Sequence, residues 1–221
     1  MTTLQLQQLI PPGKSLLIHD LSWQEFENIL EELGEHRSAR VAYDNGTLEI
    51  MTPLPEHEAD KEMIGDLLKA LLEELDIEFL SLGSTTFKNP KMLKGIEPDQ
   101  CFYIQNEAAV RGKKRLDLSI DPPPDLACCF ADTARVEIDV TSRTHPDTYA
   151  ALGVPELWRR TGNQIQINIL SNGQYLEAQT SSILPNFQIQ DVIPQYIEMG
   201  QSAGRNKAMK AFRQWVREQI K

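Results

Sequence analysis

Three carboxylates in this chain stand where their chemistry would matter. Asp99 follows Pro98 and leads straight into the apolar run Cys101-Phe102-Tyr103-Ile104. Glu137 and Asp139 lie two apart inside Val136-Glu137-Ile138-Asp139-Val140. Residues two apart on a strand share a face, so Glu137 and Asp139 would project together while Val136, Ile138 and Val140 line the other side. A carboxylate within a strand costs free energy unless it is solvated, paired or bound to a metal. One reading is therefore an amphipathic edge strand with a wet polar face. The other sets the strand of Asp99 beside that of Glu137. The three carboxylates then converge on Mg2+ or Mn2+, the hard ions that oxygen-rich sites suit. Such an ion activates water and stabilises the charge developing on a phosphodiester. His57 would join either as a general base or phosphate contact, or only as a surface or capping residue. No G-x-S-x-G elbow surrounds a serine, and no Gly-rich phosphate loop is present.

The elements that must hold these groups follow from periodicity and turn chemistry. Ser22-Trp23-Gln24-Glu25 has the form of a capping box, and Trp23, Phe26, Ile29, Leu30 and Leu33 follow at helical spacing up to Gly34. Val41–Tyr43 and Leu48–Met51 flank Asn45-Gly46, which predicts a hairpin. A long helix is predicted from Glu56 to about Asp76, with His57 in its first turn and Met63, Ile64, Leu67, Leu68, Leu71, Leu72 and Leu75 as its apolar stripe. Strands are predicted at Ile77–Leu82, Thr85–Lys88, Gln100–Ile104 and Arg135–Val140, and Asp121-Pro122-Pro123-Pro124 reads as a loop or sheet entry. A short helix at Asp147–Leu152 and three strands at Glu156–Arg160, Gln164–Leu170 and Gln174–Gln179 come next, and an amphipathic helix begins near Arg205. The expected fold is α/β: residues 1–200 form one domain with a mixed or mostly antiparallel central sheet flanked by helices. Residues 201–221 form a C-terminal amphipathic helix packed on the domain or on a partner subunit. Its stripe of Phe212, Trp215 and Ile220 suggests a homodimer.

Composition sets the outer bounds. The 221 residues are 41% apolar, enough for a real core and against a disordered chain. No run reaches the ~18–20 apolar residues of a membrane helix, and MTTLQLQQLI lacks the features of a signal peptide. Cys101, Cys128 and Cys129 are odd in number and two are adjacent, which argues against a disulfide framework and points to a reducing, cytoplasmic setting. The net charge of −10 is unevenly spread. Residues 49–78 are strongly acidic, residues 88–115 carry seven bases against three acids, and the tail from Arg205 carries six bases against Glu218 alone. A phosphate backbone could meet a basic strip of this kind, or the strips are ordinary solvated faces.

An ordered set of segments adds a resemblance. Asp44-Asn45-Gly46-Thr47-Leu48-Glu49-Ile50-Met51, Pro55-Glu56-His57-Glu58, Glu97-Pro98-Asp99, Asp121-Pro122-Pro123-Pro124-Asp125-Leu126, Glu137-Ile138-Asp139-Val140-Thr141-Ser142 and Ala151-Leu152-Gly153-Val154-Pro155-Glu156-Leu157-Trp158-Arg159 occur in that order. Together they resemble the Uma-type restriction endonuclease family, which is rich in cyanobacterial members and similar to the PD-(D/E)XK nucleases. The resemblance runs from about Trp23 to about Asp191. It implies a restriction-endonuclease-like α/β core, DNA as substrate, and Mg2+ or Mn2+ as cofactor. By the same resemblance Asp99 and Glu137 are catalytic metal ligands, with Asp139 beside them and His57 opening the family's helix. The position of the superfamily lysine holds Asp139. Lys88 is then a surrogate or a phosphate contact, and Arg143 a phosphate contact that cannot serve as a base because it stays charged. The family pattern runs from Asp125-Leu126-Ala127 almost directly into Val136-Glu137. Here the eight residues from Cys128 to Arg135 intervene, so either Asp125 or Glu137 starts the functional strand.

Overall fold

Two sheets meet at the tripeptide Glu97-Pro98-Asp99, which carries the chain from one into the other. The computed structural model describes residues 10–34, 39–53, 55–83, 85–131 and 146–220, with the backbone alone at 55–57, 130–131 and 161. The first sheet contains β1 (Ser15–Ile18), β2 (Arg40–Asp44), β3 (Thr47–Met51), β5 (Phe87–Asn89) and β6 (Lys94–Ile96). Its order is β1-β3-β2-β6-β5, antiparallel throughout. Asn45 and Gly46 turn the β2–β3 hairpin, both at positive φ (45° and 94°), as a two-residue primed turn requires. Helix α1 (Trp23–Leu33) opens on the expected capping box, with Ser22 and Glu25 exchanging hydrogen bonds. It covers one face of this sheet, where the Phe26 ring stacks on Tyr43 at 4.5 Å.

The second sheet contains β4 (Leu80–Ser81), β7 (Gln100–Tyr103), β8 (Leu126–Ala131), β9 (Glu156–Thr161), β10 (Gln164–Ser171) and β11 (Gln174–Ala178), in the order β11-β10-β9-β8-β7-β4. Only β8 and β9 run parallel, so this is the mixed sheet of the fold. A parallel pair needs a crossover, and the β8–β9 crossover contains α4 (Pro146–Ala151). The short α3 (Glu107–Val110) follows β7. One face of the mixed sheet, through Phe102, Leu126, Cys128, Trp158 and Ile167, packs under α2 (Pro55–Glu74), α5 (Ile189–Ala203) and α6 (Arg205–Gln219). The other face, through Cys101, Tyr103, Ala127, Cys129 and Leu157, meets Ala42, Phe87 and Ile96 of the first sheet and Tyr149 of α4.

The sequence anticipated one sheet and the chain builds two. Strands β1 and β6 escaped notice because each is short. Strand β8 was hidden behind Pro122-Pro123-Pro124. Helix α5 was also not anticipated: Pro194 lies inside it, yet Val192, Ile193, Pro194 and Ile197 are all buried. The predicted strand Ile77–Leu82 contracts to two residues, and Thr85–Lys88 becomes Phe87–Asn89. The predicted strand Arg135–Val140 lies outside the described residues.

The C-terminal helix α6 lies on its own domain, burying Ala208, Phe212 and Val216 against α2 and α5. Its bases meet the acids of α2: Arg205 pairs with Asp66, Arg213 with Glu73 at 2.6 Å and Glu74 at 3.2 Å, and Arg217 with Glu74 at 2.6 Å. Among the described residues no helix is long and apolar enough to cross a membrane.

Candidate active site

Glu97 and Asp99 are 2% and 4% exposed, an unusual depth for two acids two residues apart. Glu97 is held at both oxygens. The Val41 amide donates to Oε2 at 3.2 Å and the Thr86 hydroxyl to Oε1 at 2.5 Å. The Val41 bond continues the β2–β6 ladder one step past Ile96 and so fixes the path of the corner. The amide of Asp99 then donates to the carbonyl of Cys128 at 3.0 Å, which ties Asp99 to β8.

Strand β8 starts directly after Asp125, while Glu137 lies outside the described residues. That aspartate is 2% exposed and its carboxylate accepts three hydrogen bonds, from the Ile104 amide at 2.7 Å, the Asn106 amide at 2.9 Å and Asn106 Nδ2 at 2.7 Å. Asp125 is thus a clamp on the turn after β7. The strand positions beside Asp99 belong to Cys128 and Cys129, the first two of the eight intervening residues. Burial pushes the Cys128 thiol well above its ordinary range, with smaller contributions from Cys129, Cys101, Asp99 and Glu156. Burial likewise pushes Cys101 up to about 12. The Cys129 thiol donates to the Tyr149 hydroxyl at 2.8 Å, and Cys129 is in register with Arg159 on β9. Arg160 faces the other way and pairs with Asp60 of α2 at 2.5 Å.

Helix α2 meets β7 at Gly65. A Cβ there would stand 2.8 Å from Nε2 of Gln100, the residue after Asp99. One turn earlier on the same helical face lies Lys61, only 6% exposed, its ammonium 2.8 Å from Glu58. Glu58 in turn lies 3.5 Å from Arg40 of β2. One further turn back is His57, in the first turn of α2 as expected, though its side chain is outside what is described. Lys61 was not singled out from the sequence because acids surround it. The spacing of His57, Lys61 and Gly65 by four was the signal that could have found it.

The remaining predicted residues fall as follows. Lys88 pairs with Glu27 of α1. Its strand neighbour Phe87 packs between the sheets, so Lys88 points to the α1 side of the first sheet, away from the face that Phe87 shares with Ile96. Glu137, Asp139 and Arg143 lie outside the described residues. Among the described residues no three His, Cys, Asp or Glu side chains are grouped to hold a metal ion. Beside Asp99 these residues offer thiols, which are poor partners for a hard ion, so an oxygen-ligated site there requires carboxylates from elsewhere in the chain.

Residues 23–200 match the model of the Uma2 family, described as "Putative restriction endonuclease". A crystal structure of "a putative nuclease belonging to DUF820" from Anabaena variabilis is similar in fold, with a TM-score of 0.56 at 10% sequence identity. The likeness covers 86% of this chain and 99% of that one. No curated protein matches the sequence.

Proposed function

The chain belongs to the Uma2 restriction endonuclease family, and from that premise we propose that it is a metal-dependent endonuclease that hydrolyses phosphodiester bonds in DNA. The observation that carries this reading is the burial of Asp99 at the junction of the two sheets, where the family motif Glu97-Pro98-Asp99 crosses over. In this reading Asp99, Glu137 and Asp139 hold Mg2+ or Mn2+. The ion, when bound, lowers the pKa of the attacking water and offsets charge on the phosphoryl oxygens. His57 accepts a proton from that water. Lys61 supplies the positive charge that Asp139 cannot, one turn along α2 from His57. Lys88 and Arg143 contact phosphates. Plasmid nicking with Mg2+ and then Mn2+ tests the proposal. Asp99→Ala and Glu137→Ala should each abolish cutting, because each removes an ion ligand. Equal nicking by wild type and Glu137→Ala would assign the activity to an impurity.

A second reading, a nuclease-like protein that binds nucleic acid or a protein partner without cutting, is favoured by one observation. The positions next to Asp99 on β8 carry the pair Cys128 and Cys129, not a carboxylate. Retained DNA binding with no divalent-dependent cutting would select it. A homodimer fits either reading. Its interface would lie away from Phe212, which α6 already buries in its own domain, and a light-scattering mass at micromolar concentration tests it.

A further inference from the structure

A cleft of about 1020 Å³ opens between α1 and the loop after α3, and Glu97 lines it, two residues before Asp99. We propose that this cleft is the track that receives the phosphate backbone of duplex DNA. The proposal rests on the nuclease reading for its ligand class and extends the phosphate contact at Lys88 to a whole surface. In a chain of net charge −10 the cleft gathers Arg40, Lys88, Lys113, Lys114 and Arg115. The acids that line it are Glu27, Glu31 and Glu97. Glu97 is committed to Val41 and Thr86, and Glu27 to Lys88. Lys113 meets Asp121, while Lys114 and Arg115 extend from the same loop as exposed side chains. Among the described lining residues bases outnumber acids five to three, and a concave surface with an excess of positive charge attracts the opposite charge.

Two further observations narrow the ligand. Among the described residues no aromatic side chain lines the cleft, so these residues offer bases no platform on which to stack, and their chemistry is that of phosphate contact. This favours a duplex, whose bases are already stacked, over a single strand. The other basic segment, the C-terminal helix, has Arg205, Arg213 and Arg217 turned onto the acids of α2. In the cleft Arg40, Lys88 and Lys113 likewise meet acids, so Lys114 and Arg115 are the bases on which the proposal turns.

The test is fluorescence anisotropy of a labelled duplex oligonucleotide, in EDTA so that no cutting intervenes, across a salt series. The double variant Lys114→Glu/Arg115→Glu should bind at least about tenfold more weakly, and the slope of log affinity against log salt should fall by about two. Thermal unfolding of that variant confirms that it is folded. Lys207→Glu/Lys210→Glu, on the exposed side of α6, should leave both quantities unchanged. Wild-type affinity and slope in the first variant would overturn the proposal. So would a loss confined to the second, or tighter binding to the matching single strand. Nicking is measured separately: binding that depends on Lys114 and Arg115 without any cutting would sink the endonuclease reading and leave the cleft standing.

Discussion

Several carboxylates in this chain are buried, and two of them show what a structural acid does. Glu156 is entirely buried and accepts from Trp158 Nε1 at 2.5 Å, the Ser182 amide at 2.8 Å and the Ser182 hydroxyl at 2.5 Å. Asp125 is served in the same way by Ile104 and Asn106. These acids hold loops to strands, and their chemistry ends there. Asp99 lies at the sheet junction, its amide tied to the Cys128 carbonyl at 3.0 Å. The structural and the proposed catalytic acid can be told apart by substitution. Asp125→Asn turns an amide toward three donors and should cost about 2–4 kcal/mol, since a buried donor left without an acceptor costs roughly 1–3 kcal/mol. In the proposed function Asp99→Asn removes activity; a stability loss in the same urea titration as large as that of Asp125→Asn would make Asp99 a structural residue. Asp99 was legible because Pro98 and an apolar run frame it. The clamp role of Asp125 was not, because its donors come from about twenty residues earlier, across the β7–β8 pair.

Helices α2 and α6 show what pattern can and cannot reveal about an element. Both stripes were visible from periodicity, and so was the excess of acid on one and base on the other. That the two excesses cancel against each other was not visible, because it depends on α6 folding back across a distance of some 140 residues. The pairing has a pH signature. Hydrogen bonding to Arg217, ahead of the further bond to Arg213 and the charges of both arginines, holds the Glu74 carboxyl below its ordinary range. A carboxyl depressed in the folded state stabilises it fully above the unfolded value of about 4.3, and that stabilisation disappears as the pH falls through the folded value. Glu74→Gln should therefore lower the melting temperature at pH 7 and change it little near pH 2, where the wild-type carboxyl is protonated too. A deficit that persists unchanged in acid would assign the loss to packing. Strand β8 and helix α5 were the elements least accessible to pattern, one behind three prolines and the other with a proline inside it.

For the molecule as a whole, the family was readable from six ordered segments, while the division into two sheets was not, because a tripeptide is too short a link to announce a change of layer. That economy makes the junction the natural place to look for an ion. If Mg2+ or Mn2+ binds the native state there, either should raise the melting temperature in proportion to the logarithm of its concentration, and Asp99→Ala should remove the shift. An equal shift in wild type and variant would place the ion elsewhere. The eight residues that begin at Cys128 carry a last consequence. Cys128 packs toward the helices and Cys129 toward the first sheet, in the ordinary alternation of a strand. A thiol is thereby buried on each face of β8, so a reagent that reaches only surface thiols should leave Cys128 and Cys129 unmodified in the folded protein and modify both once it unfolds.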